Sequence, residues 1–138
     1  MTTRFERAEI LAAIWRLGAK DKRLPTSHGI LDNALKCCLD QLPDVLTTGL
    51  SFSYTAVGLR CHQLPDILLA GQEALLTTEP NPTYLSSMVT LDEDTAREIA
   101  LGFSLSTKEA KAAGAVLLEA VERIRKEWPD DAEESAAA

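Results

Sequence analysis

The stretch "LSTKEAKAAGAVLLEAVERIRKEW" (residues 105–128) constrains the fold more than any other part of this chain. Its apolar positions Ala110, Ala113, Val116 or Leu117, Ala120, Val121 and Ile124 recur at intervals of three and four, which is the period of one helix face. Ser106 or Thr107 supplies an N-cap, Glu109 a capping-box partner, and Arg123, Arg125 and Lys126 place cations where the helix dipole is negative. This segment is expected to form the longest helix of the protein.

A chain of 138 residues supports one hydrophobic core and is too short for two ordinary domains. Hydrophobic residues make up 46% of it and aromatics only 5%, so aliphatic side chains and alanines must build the interior. The expected fold is mainly α: a single-domain helical bundle of about five or six helices over residues 1–128, with a disordered acidic tail at 129–138. No window approaches the run of apolar residues that a membrane span requires, and "MTTRFERAEI" lacks the apolar core of a secretory signal. The expected location is cytoplasmic, with Cys37, Cys38 and Cys61 as free thiols.

The other elements follow from local signals. Phe5, Ala8, Leu11, Ile14, Trp15 and Leu17 form a wide apolar stripe after Thr2 or Thr3, predicting a helix over about residues 3–19 that stops near Gly18. In "TSHGILDNALKCCLDQLP", Ile30, Leu31, Ala34, Leu35, Cys38, Leu39 and Leu42 share a face, and Pro43 ends the helix. "LSFSYTAV" reads both ways. Its alternation suits a short β-strand or hairpin around residues 50–60, yet Tyr54, Val57, Cys61 and Leu64 also keep helical spacing up to Pro65, and the helix is favoured. "PDILLAGQEALLTT" is expected to be helical until "EPNPTY", and "LDEDTAREIAL" to start a helix at its acidic cluster and break at Gly102.

"QLPDVLTTG" at 41–49 and "QLPDILLAG" at 63–71 repeat at an offset of 22 residues. Local grammar accounts for most of the match, because proline suits the first helical positions and aspartate beside it complements the dipole. On this reading both Leu-Pro corners are buried. A functional duplication would instead present Asp44 and Asp66 on one exposed face.

Catalytic, cofactor-binding and metal-ligating residues are not expected. Cys37, Cys38, Cys61, His62 and His28 lack the spacing of a zinc site. His62 beside Cys61 is a weak candidate for an activated thiol, because sequence neighbours on a helix seldom face each other. Asp92, Glu93 and Asp94 lack the ligand pattern of a calcium loop and are explained as helix-start carboxylates.

The net charge of −7 is distributed unevenly. Residues 1–28 carry +3, 29–91 carry −4 and 92–138 carry −6. The leading expectation is a small regulatory or adaptor protein acting by protein–protein interaction, for example as an antiactivator that sequesters a regulator, and forming a homodimer. Its motivation is that the helices around Ile10–Leu17 and Ile67–Leu76 look apolar on more than one side. Phe52, Tyr54, Leu68 and Leu69 are the candidate partner-binding residues. The alternative is a nucleic-acid-associated transcriptional regulator that uses Arg4, Arg7 and Arg16 on the basic N-terminal helix. It would also use the helix-turn-helix-like layout of residues 91–121, whose second helix offers Lys108 and Lys111.

Overall fold

A computed structural model describes residues 3–19, 23–25, 29–56, 58–78 and 86–127. The expected tail at 129–138, Trp128, His28, the cap candidate Thr2, Val57 and the "EPNPTY" connection lie outside these residues.

The elements run in the order α1 (Arg4–Ile14), a π-helical continuation (Trp15–Ala19), β1 (Arg23–Pro25), α2 (Ile30–Cys37), a 3-10 turn (Leu39–Gln41), α3 (Asp44–Thr47), β2 (Phe52–Thr55), β3 (Gly58–Cys61), α4 (Leu64–Glu73), β4 (Ser86–Met88), α5 (Glu93–Gly102) and α6 (Thr107–Glu127). The protein is a small, mainly α domain, as its composition predicts, with six α-helices among the described residues. Two short antiparallel strand pairs accompany them among the same residues, β1 with β4 and β2 with β3.

Helix α1 starts on a capping box. The Thr3 hydroxyl accepts from the Glu6 N–H at 3.1 Å and the Thr3 N–H donates to Glu6 Oε1 at 3.0 Å. From Ile10 to Trp15 every side chain is buried, and Leu17 is buried as well. A helix apolar on all sides must be surrounded, and α1 packs against α3, α4, α5 and α6. Its apolar arc from Ile10 to Leu17 is therefore satisfied within the chain, while Phe5 at its start stays 38% exposed. α6 is the longest helix and contributes Ala110, Ala113, Leu117, Ala120, Val121 and Ile124 to the core, the stripe read from its spacing. Its start is a second capping box, in which Ser106 N–H donates to Glu109 Oε1 and Glu109 N–H donates to the Ser106 hydroxyl, both at 3.1 Å.

The first helix runs to Ala19, as its spacing predicts, with its last turn in π form, and Gly18 lies where this turn crosses α6. Other expectations are corrected. Residues 52–61 form a β-hairpin rather than the favoured helix, because long-range side-chain bonds hold the extended chain in place, as described below. α4 ends at Glu73, short of "EPNPTY". There Leu75 takes a left-handed conformation (φ 61°), so that Leu75 N–H reaches the Gln72 carbonyl at 3.1 Å and Leu76 N–H the Gly71 carbonyl at 2.8 Å, a Schellman closure. α5 ends at Gly102, as expected, and closes by the same device with Ser104 (φ 64°) in the left-handed position. β1 and β4 are short pairings that no alternation in the sequence announces; β4 also leads into an isolated bridge between Thr77 and Val89.

Candidate protein-binding surface

The hairpin β2–β3 is pinned by polar side chains from outside it. The register sets Phe52 opposite Cys61, Ser53 opposite Arg60, Tyr54 opposite Leu59 and Thr55 opposite Gly58. Gly58 has φ 107°, a turn conformation open to glycine and costly for other residues. At the open end Gln63 clamps the strands: its Oε1 accepts from the Ser51 N–H at 2.8 Å and its Nε2 donates to the Ser51 hydroxyl at 3.0 Å. The Cys61 N–H donates to Oδ2 of Asp32 at 2.7 Å. Asp32 is buried in the first turn of α2, so a carboxylate that would otherwise be a costly burial anchors the hairpin to the bundle.

Alternation divides the hairpin into two faces. Phe52, Tyr54, Leu59 and Cys61 share one, and Ser53, Arg60 and Thr55 the other. Leu59 and Cys61 are buried, and Phe52 is half-buried with the Lys36 ammonium 5.2 Å from its ring centre. Tyr54 lies on the apolar face but is 82% exposed. On the polar side the Ser53 hydroxyl and His62 Nε2 are 2.8 Å apart.

The other two candidate residues lie on α4, which packs against α1. Leu68 is half-buried and Leu69 is 48% exposed. Leu69 shares the outer stripe of the helix with Asp66 and Glu73, three residues before it and four after, both exposed. Leu75, which belongs to the apolar arc of Ile67–Leu76 read from the sequence but is not among the four candidate partner-binding residues, is 81% exposed in its left-handed position. That backbone conformation is invisible until the helix end is known. The hairpin and α4 present separate surfaces, since β3 packs on α2 and α4 on α1. Between α1 and α4, Ala8, Leu11, Ala12, Ile67, Leu68 and Gly71 line a cavity of about 10 Å³, room for one water at most.

The three arginines of the alternative reading are used differently. Arg7 donates to the Thr48 carbonyl, and its buried Nε has no hydrogen-bond partner among the described residues. Arg16 Nε donates to the Leu91 carbonyl at 3.1 Å in a half-buried position. Arg4 is exposed, its guanidinium 4.9 Å from the Phe5 ring centre. In the helix-turn-helix-like unit α5–α6, Lys108 and Lys111 are exposed, but the backbone from Lys111 to Ala115 is pressed onto the π-helical segment of Trp15–Ala19.

The thiols and acids fall into structural roles. Cys61 and His62 are neighbours with opposite environments, one buried and the other exposed toward Ser53. Burial raises the Cys61 thiol above its ordinary range, and burial followed by the adjacent Cys37 pushes Cys38 up to about 11. Both are therefore protonated thiols at neutral pH. Asp92 caps α5 by accepting from the Thr95 N–H at 2.7 Å, an interaction that lowers its own pKa, while Asp94 pairs with Arg97. Among the described residues no group of three or more His, Cys, Asp or Glu is arranged to hold a metal ion.

The two "QLPD" copies are not structural equivalents. Leu42 and Leu64 are both buried, as the corner reading requires, and Asp44 and Asp66 are both exposed. However, Pro43 is the N-cap of a helix of four residues, whereas Pro65 sits inside the first turn of a helix of ten. Gln63 clamps the hairpin, and Gln41 is exposed at the end of the 3-10 turn. No helix of the described residues is long and apolar enough to cross a membrane. No protein-family model, curated protein or solved structure matches this chain.

Proposed function

We propose that this protein is a small regulator or adaptor that works by binding another protein through the outer side of α4 and its C-terminal cap. The observation that carries the reading is Leu75, a large apolar side chain 81% exposed and held at φ 61°. A leucine in this conformation costs stability that glycine would not, and its side chain returns little of that cost by burial. Leu69 adds a second exposed leucine on the outer stripe, between the carboxylates of Asp66 and Glu73. A complementary partner would offer an apolar socket rimmed by lysine or arginine. Inhibition or sequestration of a regulator is the mode of action that fits a chain with a filled core and this display.

The nucleic-acid alternative has less support, because Arg7 and Arg16 are occupied as ties to backbone carbonyls. The test is affinity capture from native-cell extract in the presence of nuclease, with wild type compared against Leu69→Asp and Leu75→Gly. The expected result is one protein captured in comparable amount by wild type and lost from both variants. Equal capture by all three overturns the reading, as does recovery of nucleic acid alone when nuclease is omitted.

A further inference from the structure

The two edges of the β2–β3 hairpin are treated differently by the fold. The His62 N–H donates to the Ser51 carbonyl at 2.9 Å, which fixes the phase of the ladder: Ser53 and Thr55 face β3, while the N–H and C=O of Phe52 and Tyr54 point off the outer edge. On the β3 side two of the four corresponding groups are taken. Asp32 accepts the Cys61 N–H, and Arg60 Nη1 donates to the Leu59 carbonyl at 2.8 Å. On the β2 side, no hydrogen bond from the described residues reaches the outward groups of Phe52 and Tyr54, and among the described elements only β3 packs broadly against β2.

We propose that the β2 edge is a self-association site, at which β2 of a second copy pairs antiparallel about a twofold axis through Ser53. The outward groups are self-complementary in this register. Phe52 of each copy lies opposite Tyr54 of the other, so the N–H and C=O of both residues are satisfied twice over by symmetry. Opposed residues share a face, so each exposed Tyr54 ring meets a Phe52 ring on the apolar side of a four-stranded sheet. A hairpin that is marginal alone becomes part of a sheet with a continuous apolar face.

Charge does not oppose a second copy here in spite of the net −7. Residues 45–65 contain no Asp or Glu, so the hairpins themselves bring no carboxylates together, and the nearest ammonium, Lys36, lies 5.2 Å from the Phe52 ring centre, where an aromatic partner is a favourable neighbour. On the polar face the two Arg60 side chains stand on the outer strands, three strand spacings or about 14 Å apart. At physiological ionic strength that exceeds the screening length of about 8 Å. The inference concerns a surface other than α4 and stands or falls independently of the partner-binding reading.

The test combines sedimentation with cross-linking in a Cys37→Ser background, which removes the exposed native thiol. Across the proposed axis the two residues 53 approach to about 4.5 Å between Cα atoms, within disulfide reach, whereas the two residues 55 are about 14 Å apart. Ser53→Cys is expected to give a disulfide-linked dimer on mild oxidation, and Thr55→Cys to remain monomeric under the same treatment. Tyr54→Pro removes an outward N–H without touching the inward ladder and is expected to raise the dimer dissociation constant at least tenfold, with the helical circular dichroism unchanged. A wild-type chain that sediments as a monomer at about 100 μM, or equal cross-linking at positions 53 and 55, overturns the proposal. Loss of α4-dependent capture with the dimer intact would count only against the partner-binding reading.

Discussion

Gly18 and Gly114 meet where the π-helical end of α1 crosses α6, and neither position has room for a side chain. A Cβ on Gly114 would lie 1.9 Å from the Ile14 carbonyl oxygen and 2.8 Å from the Gly18 Cα, and one on Gly18 would lie 2.4 Å from the Lys111 carbonyl oxygen. These obstacles are backbone, so the helices themselves must separate. Gly114→Ala is expected to cost about 3 kcal/mol or more in urea unfolding, although alanine is the better helix former. Gly18→Ala should do the same, and the double variant should cost less than the sum because one separation serves both methyl groups. A loss below about 1 kcal/mol for Gly114→Ala would show that the crossing is looser than described.

How far the fold was legible depends on the range of the interactions that decide each element. The start of α6 at Ser106 and Glu109, the start of α5 at Asp92 and the core stripe from Ala110 to Ile124 are local, and the spacing alone reveals them. The hairpin is not legible locally because Tyr54 and Cys61 fit both periods, and the choice is made by Asp32, 29 residues before Cys61, and by Gln63, 12 residues after Ser51. The helix end near Gly18 is legible, but the close crossing there is not, because a glycine marks a helix end and a close helix crossing with the same letter. Of the candidate surface, Tyr54 and Leu69 are exposed as a binding role requires, and Phe52 and Leu68 are half sunk into the core. Leu75 is legible as part of the apolar arc of Ile67–Leu76, but its exposure is not, because it follows from a left-handed cap that no residue type announces.

The helix ends offer a stability test that separates strain from contact. Leu75→Gly relieves a left-handed leucine at little cost in buried surface and is expected to stabilise the protein by about 1 kcal/mol. Ser104→Gly should act in the same direction. Gly102→Ala has nothing within 4 Å of the added methyl group and should gain about 0.5–1 kcal/mol from helix propensity. Thermal and urea unfolding of the three variants check this; a destabilised Leu75→Gly would mean that the leucine packs usefully within the chain, which would also weaken the case for α4 as a docking surface.

The cysteines predict a pH dependence of known sign. Cys38 is protonated in the fold up to about 11, while in the unfolded chain it ionises in the ordinary thiol range near 8.5. Its contribution is therefore complete below about pH 8.5 and is lost as pH rises through that window, at no more than about 1.4 kcal/mol per pH unit. Urea unfolding of wild type and Cys38→Ala at pH 8, 9.5 and 10.5 isolates the effect, with the difference between them expected to shrink as pH rises. At pH 8 a disulfide-exchange reagent should modify one exposed thiol, Cys37, rapidly, and should reach Cys38 and Cys61 only after unfolding. Rapid reaction of all three would contradict the burial of the other two.

The N-terminal arginines give opposite orders for their two readings. If Arg16 holds the chain before α5 through the Leu91 carbonyl, and Arg7 holds the loop after α3 through the Thr48 carbonyl, each replacement by alanine strands an acceptor. The expected loss is about 1.5–3 kcal/mol apiece in urea unfolding. Arg4→Ala removes an exposed side chain and should change stability by less than about 0.5 kcal/mol. For nucleic-acid binding, by contrast, Arg4 is the only one of the three whose guanidinium is not bonded to a carbonyl, so Arg4→Ala should be the variant that lowers affinity for a DNA duplex and flattens its salt dependence. Measuring both quantities on the same three proteins decides the matter. Stability falling for Arg7→Ala and Arg16→Ala, with no salt-sensitive DNA affinity in any of them, leaves the basic N-terminus a structural feature; a stable Arg16→Ala protein with weakened DNA binding would restore the nucleic-acid reading at the expense of the ties.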